Sequence, residues 1–118
     1  MAETQRHNTT QWVGFHLADQ AYAFPIERIR EIVIPERITR TPQVPSYCEG
    51  VSNLRGSIIP IINLRTLFDL EPRERDADAR TIVVHVGDRT MGCLVDDVTQ
   101  VVRIADDDIQ PAPETIAS

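Results

Sequence analysis

The chain has 118 residues, 42% of them hydrophobic and 25% charged, a composition typical of one globular domain and not of a disordered protein. The formal net charge is −6 without a clustered basic stretch, so nucleic acid is not an expected partner. No apolar run reaches the roughly eighteen residues of a membrane span, and residues 1–11 lack the apolar core of a signal peptide. Cys48 and Cys93 lack C-x-x-C spacing and indicate reduced thiols. We therefore expect a soluble, cytoplasmic chain without direct membrane insertion.

The first predicted element is a β-hairpin, because apolar residues alternate on both sides of a turn at residues 19–20. The alternating positions are Val13, Phe15, Leu17, Tyr22, Phe24 and Ile26. Pro25 suits the first turn of a short helix over residues 26–30. An extended segment over residues 31–38, interrupted by Pro35, and a proline-containing loop over residues 41–46 follow.

Residues 50–65, G-V-S-N-L-R-G-S-I-I-P-I-I-N-L-R, place one charge inside an apolar run. They predict a second hairpin, with strands 50–54 and 57–63 and a turn at Arg55-Gly56. A buried guanidinium costs several kcal/mol without a partner, so Arg55 is expected to have one. Pro60 predicts an edge strand or a bulge, and Asn63 is a candidate cap for a helix over residues 64–70. The expected core residues of this stretch are Leu54, Ile58, Ile59, Ile61 and Ile62.

The second half of the chain continues the β pattern. The mixed-charge segment over residues 71–80 is predicted to be an exposed loop that joins two lobes or decorates the end of a barrel. Strands over residues 81–86 and 89–95 flank a Gly87-Asp88 turn, and a last strand covers residues 98–104. Short strands with polar turns favour small barrels over a parallel sheet.

No pattern in the sequence points to catalysis, a metal or a cofactor. The glycines form no phosphate-binding motif, and no serine or cysteine has a recognisable general base. The three histidines are isolated, and the aspartates at 96–97 and 106–108 lack the spacing of a calcium loop. These aspartates are read as turn formers and a solvated acidic rim. We therefore predict a binding protein and not an enzyme.

Five motifs, in order along the chain, resemble the CheW family of bacterial chemotaxis adaptors. They are A-Y-A-F-P-I-E-R-I-R-E-I from Ala21, P-S-Y-C-E-G, G-V-S-N-L-R-G-S-I-I-P-I-I-N-L-R-T-L-F-D-L from Gly50, M-G-C-L-V-D-D-V-T-Q-V-V from Met91 and I-Q-P-A-P-E from Ile109. The resemblance implies a mainly β fold of two SH3-like β-barrels of five strands each, packed side by side with a groove between them and carrying short helices. It also implies a non-catalytic scaffold that links the cytoplasmic signalling tip of chemoreceptors to the regulatory domain of the CheA histidine kinase, at receptor arrays under the inner membrane.

The resemblance also implies the site. In the family, the Arg of N-L-R-G pairs with an earlier Glu, here Arg55 with Glu31, and an arginine fork can hold a carboxylate through two parallel hydrogen bonds. The implied receptor-binding groove consists of Ile29, Glu31, Gly50, Asn53 and Arg55. Gly56 is expected to serve the turn. A CheW-like domain in another chemosensory assembly, such as type IV pilus control, or a fragment of a larger coupling protein is the alternative.

The predicted boundaries are one domain over residues 12–114, with flexible termini at 1–11 and 115–118. Family members continue past P-A-P-E with a further hairpin and a closing helix, so the second lobe is expected to be incomplete. A barrel without its closing strands exposes unpaired backbone groups. The sequence therefore predicts marginal stability or self-association through an open sheet edge, with the loop over residues 71–80 as a hinge for exchange.

Overall fold

The structure, a computed structural model, describes residues 9–105 and contains eight strands, one 3-10 helix and one α-helix in this range. The strands are β1 Thr9–Leu17, β2 Gln20–Pro25, β3 Ile29–Val33, β4 Cys48–Leu54, β5 Ser57–Asn63, β6 Arg80–Val86, β7 Arg89–Val95 and β8 Asp97–Ala105. The 3-10 helix is Ile26–Arg28 and helix α1 is Leu64–Leu67. Neither helix of this range is long and apolar enough to cross a membrane.

The strands form two sheets, which confirms the prediction of a mainly β fold. One sheet has three strands in the order β2-β1-β8, and the other has five in the order β3-β6-β7-β5-β4. Every pairing is antiparallel except that of β5 with β7. Within residues 9–105, only one sheet therefore has the five strands that the resemblance implied for both. In the described range β8 pairs on one side only, and self-association through this edge stays a prediction.

The five-stranded sheet is buried on both faces, because successive side chains of a strand point to opposite sides. On one face, Ile82, Val84, Cys93 and Val95 pack with Phe15 and Leu17 of β1 and with Leu64 of α1. On the other face, Val83 and Leu94 pack with Ile59 and Ile61. The first cluster joins the two sheets, and the second lies on the opposite face of the larger sheet.

The chain after edge strand β3 returns to the opposite edge of the five-stranded sheet, at β4. The chain that leaves β3 runs along the outer edge of β4, where Thr39 and Val51 exchange two backbone hydrogen bonds of 2.8 Å. The Ser52 hydroxyl also donates to the Arg37 carbonyl at 3.0 Å. Gly50 permits this approach, because a Cβ there would lie 2.1 Å from the Thr39 carbonyl oxygen.

Several local expectations are confirmed and two are wrong. The three predicted hairpins are present, and Asn63 caps α1 by accepting from the Thr66 N–H. The helix ends at Leu67 and not at residue 70, and Ile58, expected in the core, is 62% exposed. The loop over residues 71–80 leads from α1 to β6 of the same sheet and does not join two lobes, while its place at the end of a barrel stays a prediction. Strand β1 begins at Thr9, and the domain boundary at residue 12 stays a prediction.

Replacement of Gly50 by alanine is expected to destabilise the fold by about 3 kcal/mol or more, because a backbone clash adds to the strain of a positive φ. The φ of Gly50 is +142°, and the Thr39 backbone cannot move without breaking its pairing with β4. Gly56→Ala is the matched control, since its φ is also positive at +88° but a Cβ there meets nothing within 4 Å. Urea denaturation should show the smaller loss for Gly56→Ala; equal losses would contradict the role given to close approach.

Candidate functional site

The ion pair between Arg55 and Glu31 links the turn after edge strand β4 to the opposite edge strand, β3. Glu31 lies in edge strand β3, and Arg55 lies in the turn between β4 and β5. A bulge between Ile29 and Glu31 shifts the register of β3, so that Ile29 lies opposite Val84 and Glu31 opposite Val83. Val84 and Val83 belong to the two different core clusters. Glu31 therefore lies on the same face of the sheet as Val83, where Arg55 contacts it.

The turn itself is built to present the Arg55 side chain. Arg55 and Gly56 both have positive φ, at 52° and 88°, as a two-residue hairpin turn of this hand requires. The Asn53 side-chain oxygen accepts a hydrogen bond from the Gly56 N–H at 2.9 Å, and this bond stabilises the turn. Gly56 thus lies in the turn with a positive φ, and Asn53 supports the same turn through its side chain.

The pair differs from the expected fork geometry. Only Nη1 of Arg55 contacts Glu31, and it contacts both carboxylate oxygens. The Arg55 side chain is 72% exposed and that of Glu31 is 25% exposed, so the charge inside the apolar run remains in water. The desolvation cost that motivated a search for a partner is therefore largely absent, and Nε and Nη2 of Arg55 make no hydrogen bond within residues 9–105.

The remaining predicted site residues have different surroundings. Ile29 is half-buried and packs against the core cluster between the sheets, on the face opposite to Glu31. Gly50 is buried under the Thr39 backbone. The structure thus gathers Glu31, Asn53 and Arg55 near the turn after β4, whereas Gly50 lies toward the other end of β4, opposite Ile61, and Ile29 packs against the core.

A second arginine pair, between Arg65 and Asp96, is buried and was not anticipated from the sequence. Nε and Nη2 of Arg65 donate to the two Asp96 oxygens at 2.8 and 2.6 Å, and Nη1 donates to the Glu71 carbonyl at 2.5 Å. The side chains of Arg65 and Asp96 are only 10% and 12% exposed. The fork geometry expected for Arg55 therefore occurs at Arg65. Its only sequence signals were an arginine inside a short apolar helix and an aspartate directly after a buried strand.

Asp96 is held by both sheets at once. Besides Arg65, it accepts from the Ala18 N–H at 2.8 Å, and its own N–H donates to the His16 carbonyl at 3.0 Å. The hydrogen bonds from Arg65 hold the pKa of Asp96 below its ordinary value, and the same bonds raise the pKa of Arg65. Both groups are therefore charged at neutral pH, and the pair is a fixed structural element.

Other titratable groups offer little for chemistry. Within residues 9–105 no three His, Cys, Asp or Glu side chains are placed to hold a metal ion. Burial raises the pKa of the Cys93 thiol to about 12, so it stays protonated. His16 Nδ1 lies 2.8 Å from an oxygen of Asp97, and both side chains are partly exposed.

Comparison with known proteins agrees with these features. The fold and its exposed, charge-paired turn define a CheW-like domain: residues 11–118 match the family described as CheW-like domain. The chain is 43% identical to chemotaxis protein CheW of Helicobacter pylori over 91% of this chain and 65% of that protein. The solved structure of scaffolding protein TtCheW from Thermoanaerobacter tengcongensis is similar, with a TM-score of 0.83, 36% identity and coverage of 91% of this chain and 73% of that chain. The chain belongs to the CheW family, as the resemblance predicted.

Two further facts bear on function. The chain spans slightly less than two thirds of the length of the curated CheW proteins of Helicobacter pylori, Klebsiella aerogenes and Rhizobium etli. Protein PilI of Pseudomonas aeruginosa is a more distant relative, 28% identical over 80% of this chain and 54% of that protein.

The two arginine pairs should differ strongly in their effect on stability. Arg55→Ala is expected to lower the free energy of unfolding by at most about 1 kcal/mol, because the pair is exposed. Arg65→Ala should cost about 3–5 kcal/mol, because it leaves Asp96 buried without its partner. A double-mutant cycle between Glu31 and Arg55, by urea denaturation, should give a coupling of about 0.2–1 kcal/mol. A larger loss for Arg55→Ala than for Arg65→Ala would contradict this assignment.

Asp96 should also make the fold sensitive to acid. A carboxyl whose folded pKa is lowered stabilises the fold above its unfolded pKa of about 3.9, and this contribution is lost as the pH falls through the folded pKa. The Asp96→Asn variant should therefore be less stable at pH 7 and show a shallower loss of stability below about pH 4. Asp88→Asn is the control, because Asp88 is exposed in the turn between β6 and β7 and forms no ion pair within residues 9–105. Parallel stability curves for wild type and Asp96→Asn would refute the prediction.

Proposed function

We propose that the chain is a non-catalytic scaffold adaptor that couples chemoreceptors to the CheA histidine kinase in bacterial chemotaxis. The observation that carries the proposal is the match to the CheW-like domain over residues 11–118, with the same fold as a solved protein described as a scaffold. The proposed partners are the regulatory domain of the kinase and the cytoplasmic signalling tip of the receptor. In this role the chain acts at receptor arrays on the cytoplasmic side of the membrane.

The proposed receptor site consists of Glu31, Asn53 and Arg55 near the turn after β4, together with Ile29 and Gly50. Arg55 supports this assignment, because one nitrogen holds Glu31 while Nε and Nη2 keep hydrogens for another acceptor. Glu31 orients the guanidinium in advance, which lowers the entropy cost of binding a partner carboxylate. The site binds and positions a partner, and the proposal assigns it no reaction.

A second candidate function is the same adaptor role in another chemosensory assembly, such as type IV pilus control. The similarity to PilI of Pseudomonas aeruginosa favours this candidate, but it is weaker than the similarity to the CheW proteins. The two candidates differ in the kinase that the chain engages. Binding to CheA and to the homologous kinase of a pilus system, measured side by side, distinguishes them.

The purified chain should bind a CheA regulatory domain, and separately a receptor signalling-tip fragment, without nucleotide or metal. Micromolar affinity is expected, because transient signalling interfaces are small. Calorimetry or a pull-down with each partner alone measures this, with heat-denatured chain as the control. Failure to bind either partner would refute the adaptor proposal, as would turnover of a substrate that depends on a single side chain.

A further inference from the structure

The smaller sheet has two edge strands, β2 and β8, which flank β1. Within residues 9–105 each of them pairs on one side only. An edge strand presents backbone N–H and C=O groups that another chain can pair with. The two edges differ in how well they suit such pairing.

Strand β8 is poorly suited to accept another strand. Its register against β1 shifts between Val13 and Phe15, whose partners Val101 and Val98 are three residues apart on β8. The extra residue on β8 is a β-bulge, which bends an edge and interrupts its row of backbone groups. Arg103 adds a charge farther along the same strand. Bulges and charged side chains are features by which edge strands avoid pairing with other chains.

Strand β2 has neither feature. Its sequence, Q-A-Y-A-F-P, carries no charge, and all six residues lie opposite β1 without a register shift. Ala21 is exposed and Ala23 is half-buried, so the side chains on one face of this edge are small. Another strand can therefore approach β2 closely along its whole length up to Pro25.

The hairpin geometry determines which backbone groups of β2 point outward. The two-residue turn places Leu17 opposite Gln20, and in such a hairpin the residues that flank the turn are hydrogen-bonded to each other. The preceding carbonyl, that of His16, points the other way and accepts from the Asp96 N–H beside β8 at 3.0 Å. This alternation continues along the hairpin.

Ala21 and Ala23 therefore direct their N–H and C=O groups to the open side of β2, whereas Tyr22 and Phe24 direct theirs to β1. Pro25 has no N–H to offer at the end of this edge. The open edge thus consists of two complete donor and acceptor pairs, placed symmetrically about Tyr22.

We propose that β2 pairs antiparallel with β2 of a second copy of this chain, with Tyr22 on the twofold axis. Ala21 of each copy then lies opposite Ala23 of the other, and every outward N–H and C=O of these alanines finds a partner. A register shifted in one direction places Ala21 opposite Pro25, which lacks a donor. The opposite shift places Ala23 against Asp19 in the turn. Only the register centred on Tyr22 satisfies all the outward groups.

The side chains agree with this register. The alanines lie opposite each other on one face, and the two Tyr22 rings are neighbours on the other, where aromatic cross-strand pairs stabilise a sheet. Each Tyr22 ring is already positioned by Phe15 and Phe68, with ring centroids 5.9 and 5.1 Å away. The pairing joins the two small sheets into one of six strands. It leaves the proposed receptor site free in both copies, because Glu31 and Arg55 belong to the larger sheet.

Sedimentation equilibrium of the full chain over a concentration series tests the inference. The wild-type chain should form a dimer with micromolar affinity, because the interface is small. Ala23→Pro removes an outward N–H and no bond of the hairpin, so it should weaken dimerisation by about tenfold or more. The control is Val101→Lys, because Val101 is 51% exposed on the other edge strand, β8. It should change the dimer affinity less than twofold or so.

Two double variants test the register. Ala21→Lys with Ala23→Lys places like charges opposite each other in the dimer and should yield a monomer. Ala21→Lys with Ala23→Glu places each Lys opposite a Glu of the other copy and should retain the dimer. Urea denaturation of every variant checks the fold. If Ala23→Pro does not fold, the two double variants decide the outcome.

Three results would overturn the inference. The first is a wild-type chain that stays monomeric at every concentration. The second is a dimer that Val101→Lys dissociates and Ala23→Pro leaves intact, since this would move the interface to β8. The third is equal dimerisation of the two double variants. None of these results bears on the adaptor proposal, which concerns a different surface of the chain.

Discussion

Asp96 and Arg65 form the contact on which the relative placement of the two sheets depends. Arg65 comes from the helix that follows β5 of the larger sheet, and Asp96 lies at the corner between β7 and β8. Asp96 also accepts from Ala18 in the turn of the smaller sheet. A carboxylate with this low exposure needs hydrogen-bond donors, and Arg65 and the Ala18 N–H together supply three of them. The hydrophobic cluster between the sheets provides the larger stabilisation, while this contact fixes one geometry among the packings that cluster would permit.

The pairing of the chain after β3 with β4 is the second constraint. Thr39 and Val51 pair at the outer edge of β4, and a Cβ at position 50 would clash with the Thr39 backbone. The Glu31–Arg55 pair links edge strand β3 to the turn after β4. An exposed pair contributes little to stability, whereas the buried Arg65–Asp96 pair holds elements of both sheets. Stability and the proposed recognition are thus assigned to different arginines.

The turn end of the larger sheet carries the proposed receptor site, with further exposed side chains beside it. Arg55 lies in the turn after β4, and Ile58 and Arg89 lie near the starts of the parallel strands β5 and β7. These positions are exposed because the smaller sheet and α1 cover only the other part of the same face, around Ile62 and Cys93. A protein that acts only by binding needs rigidly held side chains at its surface, and strand ends in a packed sheet hold them more firmly than a long loop.

The sequence by itself determined the hairpins, their turns and the family. Alternating apolar residues and positive-φ turn positions such as Gly56 act between neighbouring residues, and the motifs that carry the resemblance are contiguous. Only the tertiary structure decided the pairing of Arg65 with Asp96, the parallel contact of β5 with β7 and the exposure of Ile58. These features depend on which segments, distant in sequence, come together and which part of a face they cover. Local periodicity cannot report this, because a strand with one apolar face reads the same whether that face is covered along its whole length or only in part.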